Sequence, residues 1–198
     1  MERYVARVPP GATQPVPFFV TYVGLGSNAG DRLVHLQAGV EALARVRETV
    51  VERVSPIYET EAHTLPGQSP QPDHLNAVAF VMTAADPFEL LAAMQAAERA
   101  AGRDPGAPQW SARPLDLDLL LYGGCEIVSP PPIAPLRPAL VVPHPRLAER
   151  RFVLQPLADL APGVVVPGLG RTVASLLAAC PDRTRIVRTD LRLDVRGW

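Results

Sequence analysis

The sequence contains no lysine, because all 19 basic residues of the 198-residue chain are arginines. This absence excludes catalysis by an activated lysine and excludes the lysine of a Walker A phosphate-binding loop. If the protein binds phosphate groups, they must be held by arginine, histidine, backbone amides or a metal ion.

The sequence also has few cysteines, a net charge close to zero and no long apolar run. Cys125 and Cys180 form neither a metal-binding spacing nor a disulfide framework, which is typical of filler residues in a reducing cytosol. The formal net charge of −1 argues against a long electrostatic footprint on nucleic acid. No run approaches the ~20 apolar residues of a membrane span, and the N-terminus has no apolar run suited to a signal peptide. We therefore expect a cytoplasmic protein without nucleic-acid or membrane partners. We also expect it to be a monomer.

The chain is long enough for one hydrophobic core. Its 198 residues, 47% of them hydrophobic, correspond to a single domain that needs no disulfide or metal for stability. We expect a flexible, proline-rich tail over residues 1–17, one domain over 18–180, and a tail or edge strand over 181–198. A proline-rich stretch at 129–138 is expected to be a surface insertion.

Hydrophobic periodicity predicts elements in the order β-α-β-β-α-β. The strands are predicted at 18–25, 50–58, 75–83 and 115–122, the second of them ending near Pro56 or Thr60. The helices begin near Asp31 and at Asp86. Four later elements are also predicted: a partner strand at 125–128, helices at 152–160 and 172–179, and an edge strand near 191–195. This order is typical of a ferredoxin-like α+β sandwich with extra C-terminal helices and an added strand pair. The long connections at 61–73 and 102–114 are expected to carry function.

The strongest chemical signal is Arg-Pro-Leu-Asp-Leu-Asp-Leu at residues 113–119. Residues two apart on a strand share a face, so Asp116 and Asp118 lie together, ~7 Å apart along the strand, while the leucines at 115, 117, 119 and 121 fill the other face. Two close carboxylates in an apolar setting repel each other. A cation such as Mg²⁺, which also binds phosphates, removes that conflict. The alternative is a solvated strand face.

Several cationic and aromatic residues are candidates for ligand binding around this pair. Arg103 and Arg113 are suited to phosphoryl groups beside a metal site. Trp110, in the same loop as Arg103, is either a packing anchor or the cover of a ligand. Glu98 is either exposed through its long side chain in the last turn of its helix or paired at the site.

Further candidates suit a flat organic substrate. Asn76 lies at the end of an apolar strand face, where its amide either caps the preceding loop or reads the hydrogen-bonding edge of a heterocycle. His144 stands between two prolines, which restrict its direction. Arg150 and Phe152 follow closely and add a cation and an aromatic face.

A weaker pattern points to other classes of protein. Gly24, Gly26 and Ala29 match the dinucleotide-binding fingerprint, but Asp31 places negative charge where a pyrophosphate would bind, and the repeated βα units of that fold are missing. A Rossmann-type oxidoreductase would change its absorbance or fluorescence on adding a nicotinamide or flavin cofactor. A non-catalytic ferredoxin-like module would bind its ligand without turnover.

Six motifs, in order, resemble the 6-hydroxymethyl-7,8-dihydropterin pyrophosphokinase family. They are Val-Gly-Leu-Gly-Ser-Asn at 23–28, Tyr-x-Thr at 58–60, Gln-Pro-Asp-His-Leu-Asn-Ala-Val at 71–78, Arg-Pro-Leu-Asp-Leu-Asp-Leu-Leu-Leu-Tyr-Gly at 113–123, Val-Pro-His-Pro-Arg at 142–146 and Arg-x-Phe-Val-Leu-x-Pro-Leu at 150–157. The resemblance implies an ATP-dependent enzyme that transfers pyrophosphate to the hydroxymethyl group of the reduced pterin and releases AMP, a step of folate biosynthesis.

The resemblance also implies a role for each candidate residue. Asp116 and Asp118 would hold two Mg²⁺ ions and, with Arg103 and Arg113, carry out catalysis. ATP would be bound by Glu98, Arg103, Trp110, Arg113, Leu119 and His144. The pterin would be bound by Thr60, His74, Asn76, Arg150 and Phe152. Because the family usually has tyrosine or phenylalanine at the place of His74, we expect stacking there to be weaker or pH-sensitive.

Overall fold

The computed structural model describes residues 17–62, 71–104, 106, 111–129 and 139–195. Residues 1–16, most of the insertion at 129–138, and Trp110 lie outside the described residues, so the expectations for them stay predictions, as do the domain boundaries. Within the described ranges, no helix combines the length and apolar character needed to span a bilayer.

The elements of the described ranges largely follow the predicted order. They are β1 (Phe19–Ser27), α1 (Arg32–Ala44), β2 (Thr49–Val54), β3 (Tyr58–Thr60), β4 (His74–Thr83), α2 (Pro87–Ala100), β5 (Asp116–Tyr122), β6 (Ile127–Val128), β7 (Val141–Val142), α3 (Arg151–Leu160), β8 (Val165–Val166), β9 (Arg171–Thr172), α4 (Val173–Ala179) and β10 (Ile186–Arg188). Asp31 and Asp86 cap α1 and α2, since their carboxylates accept hydrogen bonds from the N–H groups of Val34 and Phe88.

The main sheet is antiparallel, with the strand order β10-β3-β4-β1-β5 and with β2 also paired to β4. The arrangement β5-β1-β4-β2, with α1 and α2 as crossovers, confirms the ferredoxin-like prediction. A dinucleotide-binding fold needs a parallel sheet, so the glycine pattern near Gly24 and Gly26 does not reflect that fold.

Helices cover both faces of this sheet. α1 and α2 bury Leu36, Leu43, Leu90 and Met94 in one core layer. On the opposite face, α3 and α4 form a second core layer through Leu154, Leu157 and Leu176. The C-terminal helices α3 and α4 therefore cover the face of the sheet that α1 and α2 do not cover.

The strand predicted at 50–58 is two strands, separated at Pro56. Proline has no N–H to donate to a sheet ladder, so a central strand cannot run through it. Ser55 makes the local contacts instead: its N–H donates to the Val78 carbonyl at 2.9 Å, and its Oγ accepts from the Val78 N–H at 2.9 Å. The break lets β3 pair with the start of β4, where the polar residues of the site lie.

The two late strand predictions are wrong in their pairing or position. The predicted partner at 125–128 pairs as β6 with β7, because Gly123 and Gly124, at φ of +55° and +75°, turn the chain away from β5. The C-terminal edge strand is β10, paired to β3, rather than 191–195. Leu193 and Val195 pack against the α1–α2 core layer, which accounts for their apolar alternation.

A β-bulge in β5 alters the predicted leucine face. Tyr22 pairs with Leu121 and Val23 with Leu119, so Leu120 has no partner in the register. As a result Leu120 and Leu121 both join the α3–α4 core layer. The expected face holds for Leu115, Leu117 and Leu119 and is wrong for Leu121.

Candidate active site

A cavity of about 220 Å³ lies between β1, β3, β4, β5 and the start of α3. Gly24 and Gly26 of β1 line it, and a Cβ atom built on Gly26 would lie 3.5 Å from Asn76 Oδ1, so the backbone approaches this amide closely. The cavity brings together eight of the predicted residues: Thr60, His74, Asn76, Arg113, Asp116, Asp118, Arg150 and Phe152.

Asp116 is held by both arginines that precede it. Arg113 Nη1 donates to Asp116 Oδ1 at 2.8 Å, and Arg103 Nη1 donates to the same oxygen at 3.1 Å. All three side chains are about one-third exposed, and Arg113 and Asp116 line the cavity, where a ligand can reach them. Cationic charge is therefore concentrated where phosphate oxygens would approach Asp116.

Glu98 is buried near the end of α2 and secures the outer edge of β5. Its Oε1 accepts a 2.8 Å hydrogen bond from the Leu117 N–H and lies 2.6 Å from Arg103 Nη1. β5 is the last strand of the sheet, so this N–H has no neighbouring strand to satisfy it. Burial raises the pKa of Glu98, while the Leu117 N–H and Arg103 oppose that shift. Of the two interpretations of Glu98, the structure supports pairing at the site.

Asp118 faces a separate arginine and a histidine. Its Oδ2 lies 3.5 Å from Arg150 Nη1 and 3.8 Å from His144 Nε2. Burial raises the pKa of the Asp118 carboxyl, and the nearby Asp116 charge raises it further. Burial lowers the pKa of His144, against the opposing effect of Asp118, so neutral imidazole predominates at pH 7. The His144 backbone N–H also bonds the Leu120 carbonyl at 3.0 Å, on the open edge of β5.

The two aspartates fit a hard divalent cation that is shared with a substrate. Both supply carboxylate oxygens to one cavity, and their mutual repulsion in a desolvated site is the conflict that a cation relieves. Among the described residues, no group of three or more His, Cys, Asp or Glu side chains is suited to a metal. Two carboxylates would leave the other coordination positions to water and phosphate oxygens, as Mg²⁺ prefers.

Thr60 and Asn76 form a buried polar unit elsewhere in the cavity wall. They are 4% and 6% exposed, and Asn76 Nδ2 donates to Thr60 Oγ1 at 2.8 Å. Phe152 also lines the cavity, with the Arg150 guanidinium carbon 5.6 Å from the centre of its ring. A hydrogen-bonding edge and an aromatic face in one cavity suit a flat heterocycle.

Of the six predicted ATP residues, Arg113 alone is among the described residues that line the cavity. Arg103 and His144 lie beside the two aspartates, and Glu98 bonds the strand between them. The side chain of Leu119 is 4% exposed in the α1–α2 core layer, on the face of β5 opposite the carboxylates. Trp110 lies outside the described residues. The cavity also contains Gln71 and Arg146, to which sequence reasoning gave no role. Their position inside the motifs at 71–78 and 142–146 is the signal that could have identified them.

Comparisons with known proteins agree with this site. Residues 22–162 match the family described as 7,8-dihydro-6-hydroxymethylpterin-pyrophosphokinase. A Pseudomonas aeruginosa protein named 2-amino-4-hydroxy-6-hydroxymethyldihydropteridine pyrophosphokinase is 42% identical over 160 residues, which cover 81% of this chain and 91% of that protein. A Bacillus subtilis protein of the same name is 38% identical over 141 residues, covering 71% of this chain and 77% of that protein.

Longer proteins match over part of their length. The folate synthesis bifunctional protein of Arabidopsis thaliana is 38% identical over 140 residues, which cover 70% of this chain and 26% of that protein. The crystal structure of Plasmodium falciparum HPPK-DHPS wild type with SDX-DHP has a TM-score of 0.64 at 13% identity, over 82% of this chain and 44% of that chain. This chain thus spans less than half of that structure, and the likeness shows a shared fold.

Proposed function

The chain belongs to the 7,8-dihydro-6-hydroxymethylpterin-pyrophosphokinase family, and on that premise we propose how its described residues perform the family's reaction. The enzyme is an ATP-dependent pyrophosphokinase of folate synthesis. It transfers the pyrophosphoryl group of ATP to the hydroxymethyl group of the dihydropterin and releases AMP.

The phosphate chain of ATP binds at the aspartate end of the cavity. Arg103 and Arg113, which share Asp116 Oδ1, exchange part of that contact for phosphate oxygens. His144, whose neutral imidazole can donate one hydrogen bond, lies beside Asp118 and contributes a contact without adding charge. Arg146, which also lines the cavity, adds a further cation. The predicted contacts of Glu98, Trp110 and Leu119 with ATP stay predictions.

Asp116 and Asp118 would hold two Mg²⁺ ions between the protein and the phosphates. When bound, such ions would supply neutralisation of phosphate charge and a lower pKa for the attacking hydroxyl. Within the protein, Arg103, Arg113 and Arg150 lie close enough to offset the charge of the two carboxylates. The protein's part is to position the two reactants and neutralise charge, which is the main source of catalysis in phosphoryl transfer.

The pterin binds where the Thr60–Asn76 unit meets Phe152. Asn76 and Thr60 recognise its hydrogen-bonding edge, and Phe152 supports one face of the ring, with Arg150 beside it. His74 lies at the start of β4 and lines the same cavity. The aspartates that hold the phosphate end of ATP line this cavity too. The hydroxymethyl group of the pterin therefore points toward the phosphates.

The observation that carries the proposal is the placement of the Asp116–Asp118 pair, Arg113, Arg150 and the Thr60–Asn76 unit in one cavity. The test is incubation with Mg-ATP and 6-hydroxymethyl-7,8-dihydropterin, with the nucleotide products separated. We expect AMP only when both substrates and Mg²⁺ are present, and its loss on chelation. Binding of both substrates without AMP formation would instead indicate a non-catalytic module. Monomeric state, cytoplasmic location and the lack of nucleic-acid partners stay predictions.

A further inference from the structure

Asn28 is a fully buried residue that contacts both sides of the site without lining the cavity itself. It follows β1 and is 0% exposed. The cavity wall includes the preceding Ser27 but not Asn28. Any effect of Asn28 on the substrates must therefore pass through the residues it bonds.

On the phosphate side, Asn28 and Arg113 are joined by two hydrogen bonds. Asn28 Oδ1 accepts from the Arg113 N–H at 2.7 Å, and the Asn28 N–H donates to the Arg113 carbonyl at 3.0 Å. These bonds fix the backbone from which the Arg113 guanidinium reaches Asp116. Movement of Arg113 onto a phosphate would act on this pair of bonds.

On the pterin side, the amide nitrogen of Asn28 holds the segment that leads into β4. Asn28 Nδ2 donates to Gln71 Oε1 at 3.1 Å and to the Pro72 carbonyl at 3.4 Å. Gln71 lines the cavity, and β4 begins two residues after Pro72, with His74. One amide thus uses its acceptor on the phosphate side and its donors on the pterin side.

The same segment has a second support that does not reach Arg113. Arg32 Nη1 donates to the Asp73 carbonyl at 2.6 Å and to Glu59 Oε1 at 2.9 Å. Arg32 therefore stabilises the pterin side alone, whereas Asn28 stabilises both sides at once. The chain itself supplies the matched control for separating local support from coupling.

We propose that Asn28 is a positioning residue that couples ATP binding to pterin binding, by joining the Arg113 backbone to the 71–72 segment. This proposal rests on the proposed function, because it assumes that the two sides hold those two substrates. By thermodynamic linkage, if ATP changes the affinity for the pterin by some factor through this residue, the pterin changes the affinity for ATP by the same factor.

The experiment measures the pterin dissociation constant with and without saturating Mg²⁺ and α,β-methylene ATP, whose α–β bridge cannot be cleaved. The ratio of the two constants is the coupling factor. For the unmodified protein we expect a factor of at least about 5, and for Asn28→Ala a value close to 1. For Arg32→Ala we expect weaker pterin binding under both conditions and an unchanged coupling factor.

Two results would overturn the proposal: a coupling factor of 1 in the unmodified protein, or the unmodified factor retained in Asn28→Ala. If Asn28→Ala fails to fold, Asn28→Asp decides the matter, because it keeps the acceptor for Arg113 and loses the amide donor. A factor reduced at least about threefold supports the coupling role, and an unchanged factor contradicts it. Failure of the proposed function would appear separately, as no AMP from the unmodified protein.

Discussion

The Glu98 carboxylate accepts a 2.8 Å hydrogen bond from the Leu117 N–H, the backbone group that lies between the two aspartates of β5. The same Oε1 atom holds Arg103 at 2.6 Å. One buried carboxylate therefore positions both the strand that carries Asp116 and Asp118 and an arginine directed at them. This relationship makes the end of α2 part of the site's support.

Replacing Glu98 should separate its two contacts. Glu98→Gln keeps an oxygen for the Leu117 N–H, and Arg103 keeps Asp116, so we expect a stability loss of at most about 1.5 kcal/mol. Glu98→Ala leaves the N–H unsatisfied and should cost about 2–4 kcal/mol. Urea denaturation of both variants measures the difference. Equal losses would show that the Leu117 hydrogen bond does not secure β5.

The two aspartates should differ in stability effects while sharing the loss of activity. Asp118→Asn removes a carboxylate whose raised pKa means that ionisation at pH 7 opposes folding, so stability should hold or rise. Asp116→Asn takes the charged acceptor from Arg103 and Arg113, and should cost about 1 kcal/mol after allowance for solvent screening.

Thermal denaturation without Mg²⁺ tests the stability difference, and turnover at saturating Mg²⁺ tests the shared role. Each variant should lose activity by about a thousandfold or more, as expected when a ligand to a catalytic metal is removed. Normal turnover in either variant would contradict its assignment as a magnesium ligand.

Alkaline pH should destabilise the protein through two buried tyrosines. Burial raises the pKa of Tyr58 to about 12, with a further contribution from its 2.6 Å hydrogen bond to Asp159, and burial raises the pKa of Tyr122 to about 12. The unfolded chain releases these protons near pH 10, so their contribution to stability is complete below pH 10 and is lost as the pH rises toward 12.

Denaturation at pH 9 and pH 11 and the absorbance of the ionised phenol measure this loss. Tyr58→Phe should reduce the decrease between pH 9 and pH 11 by roughly 1 kcal/mol, because about one pH unit of that interval lies above the pKa of tyrosine in the unfolded chain. A phenol titration of the folded protein centred at pH 10 for all its tyrosines would contradict the expectation.

Arg103→Ala should slow the chemical step more than it weakens ATP binding. In the free protein Arg103 is already held by Glu98 and Asp116, so contact with ground-state ATP gains little. Charge developing on the phosphates in the transition state is a stronger partner. We expect kcat to fall about a hundredfold and the ATP dissociation constant to change less than about fivefold.

Arg45→Ala is the matched control for this arginine, because Arg45 is exposed and pairs with Glu41 on the outside of α1. Single-turnover kinetics and equilibrium binding give the two numbers for each variant. A loss confined to ATP affinity in Arg103→Ala would place this residue in ground-state binding only.

Local chemistry made several features predictable from sequence. Asp31 and Asp86 sit at helix starts because their short carboxylates satisfy free N–H groups, and the alternation around Asp116 and Asp118 places both on one face. The split at Pro56 was also visible in principle, since a proline that interrupts a central strand is a local signal.

Features that depend on distant contacts were not predictable in this way. The β5 bulge at Leu120 arises from its pairing with β1, and no residue in the leucine run marks it. Asn28 meets Gln71 and Arg113 across 43 and 85 residues of sequence, so its role is visible only after folding. Leu119 was assigned from a motif, yet its side chain is placed by the strand's alternation, which buries it under α1 and α2.

The most direct test of the central claim uses ATP that is labelled at the β-phosphorus and determines which product carries the label. One turnover with 6-hydroxymethyl-7,8-dihydropterin and Mg²⁺ should yield unlabelled AMP and a pterin that carries the label, because the whole pyrophosphoryl group is transferred. ADP that retains the label, together with an unlabelled pterin phosphate, would show transfer of the terminal phosphate alone and would contradict pyrophosphokinase activity.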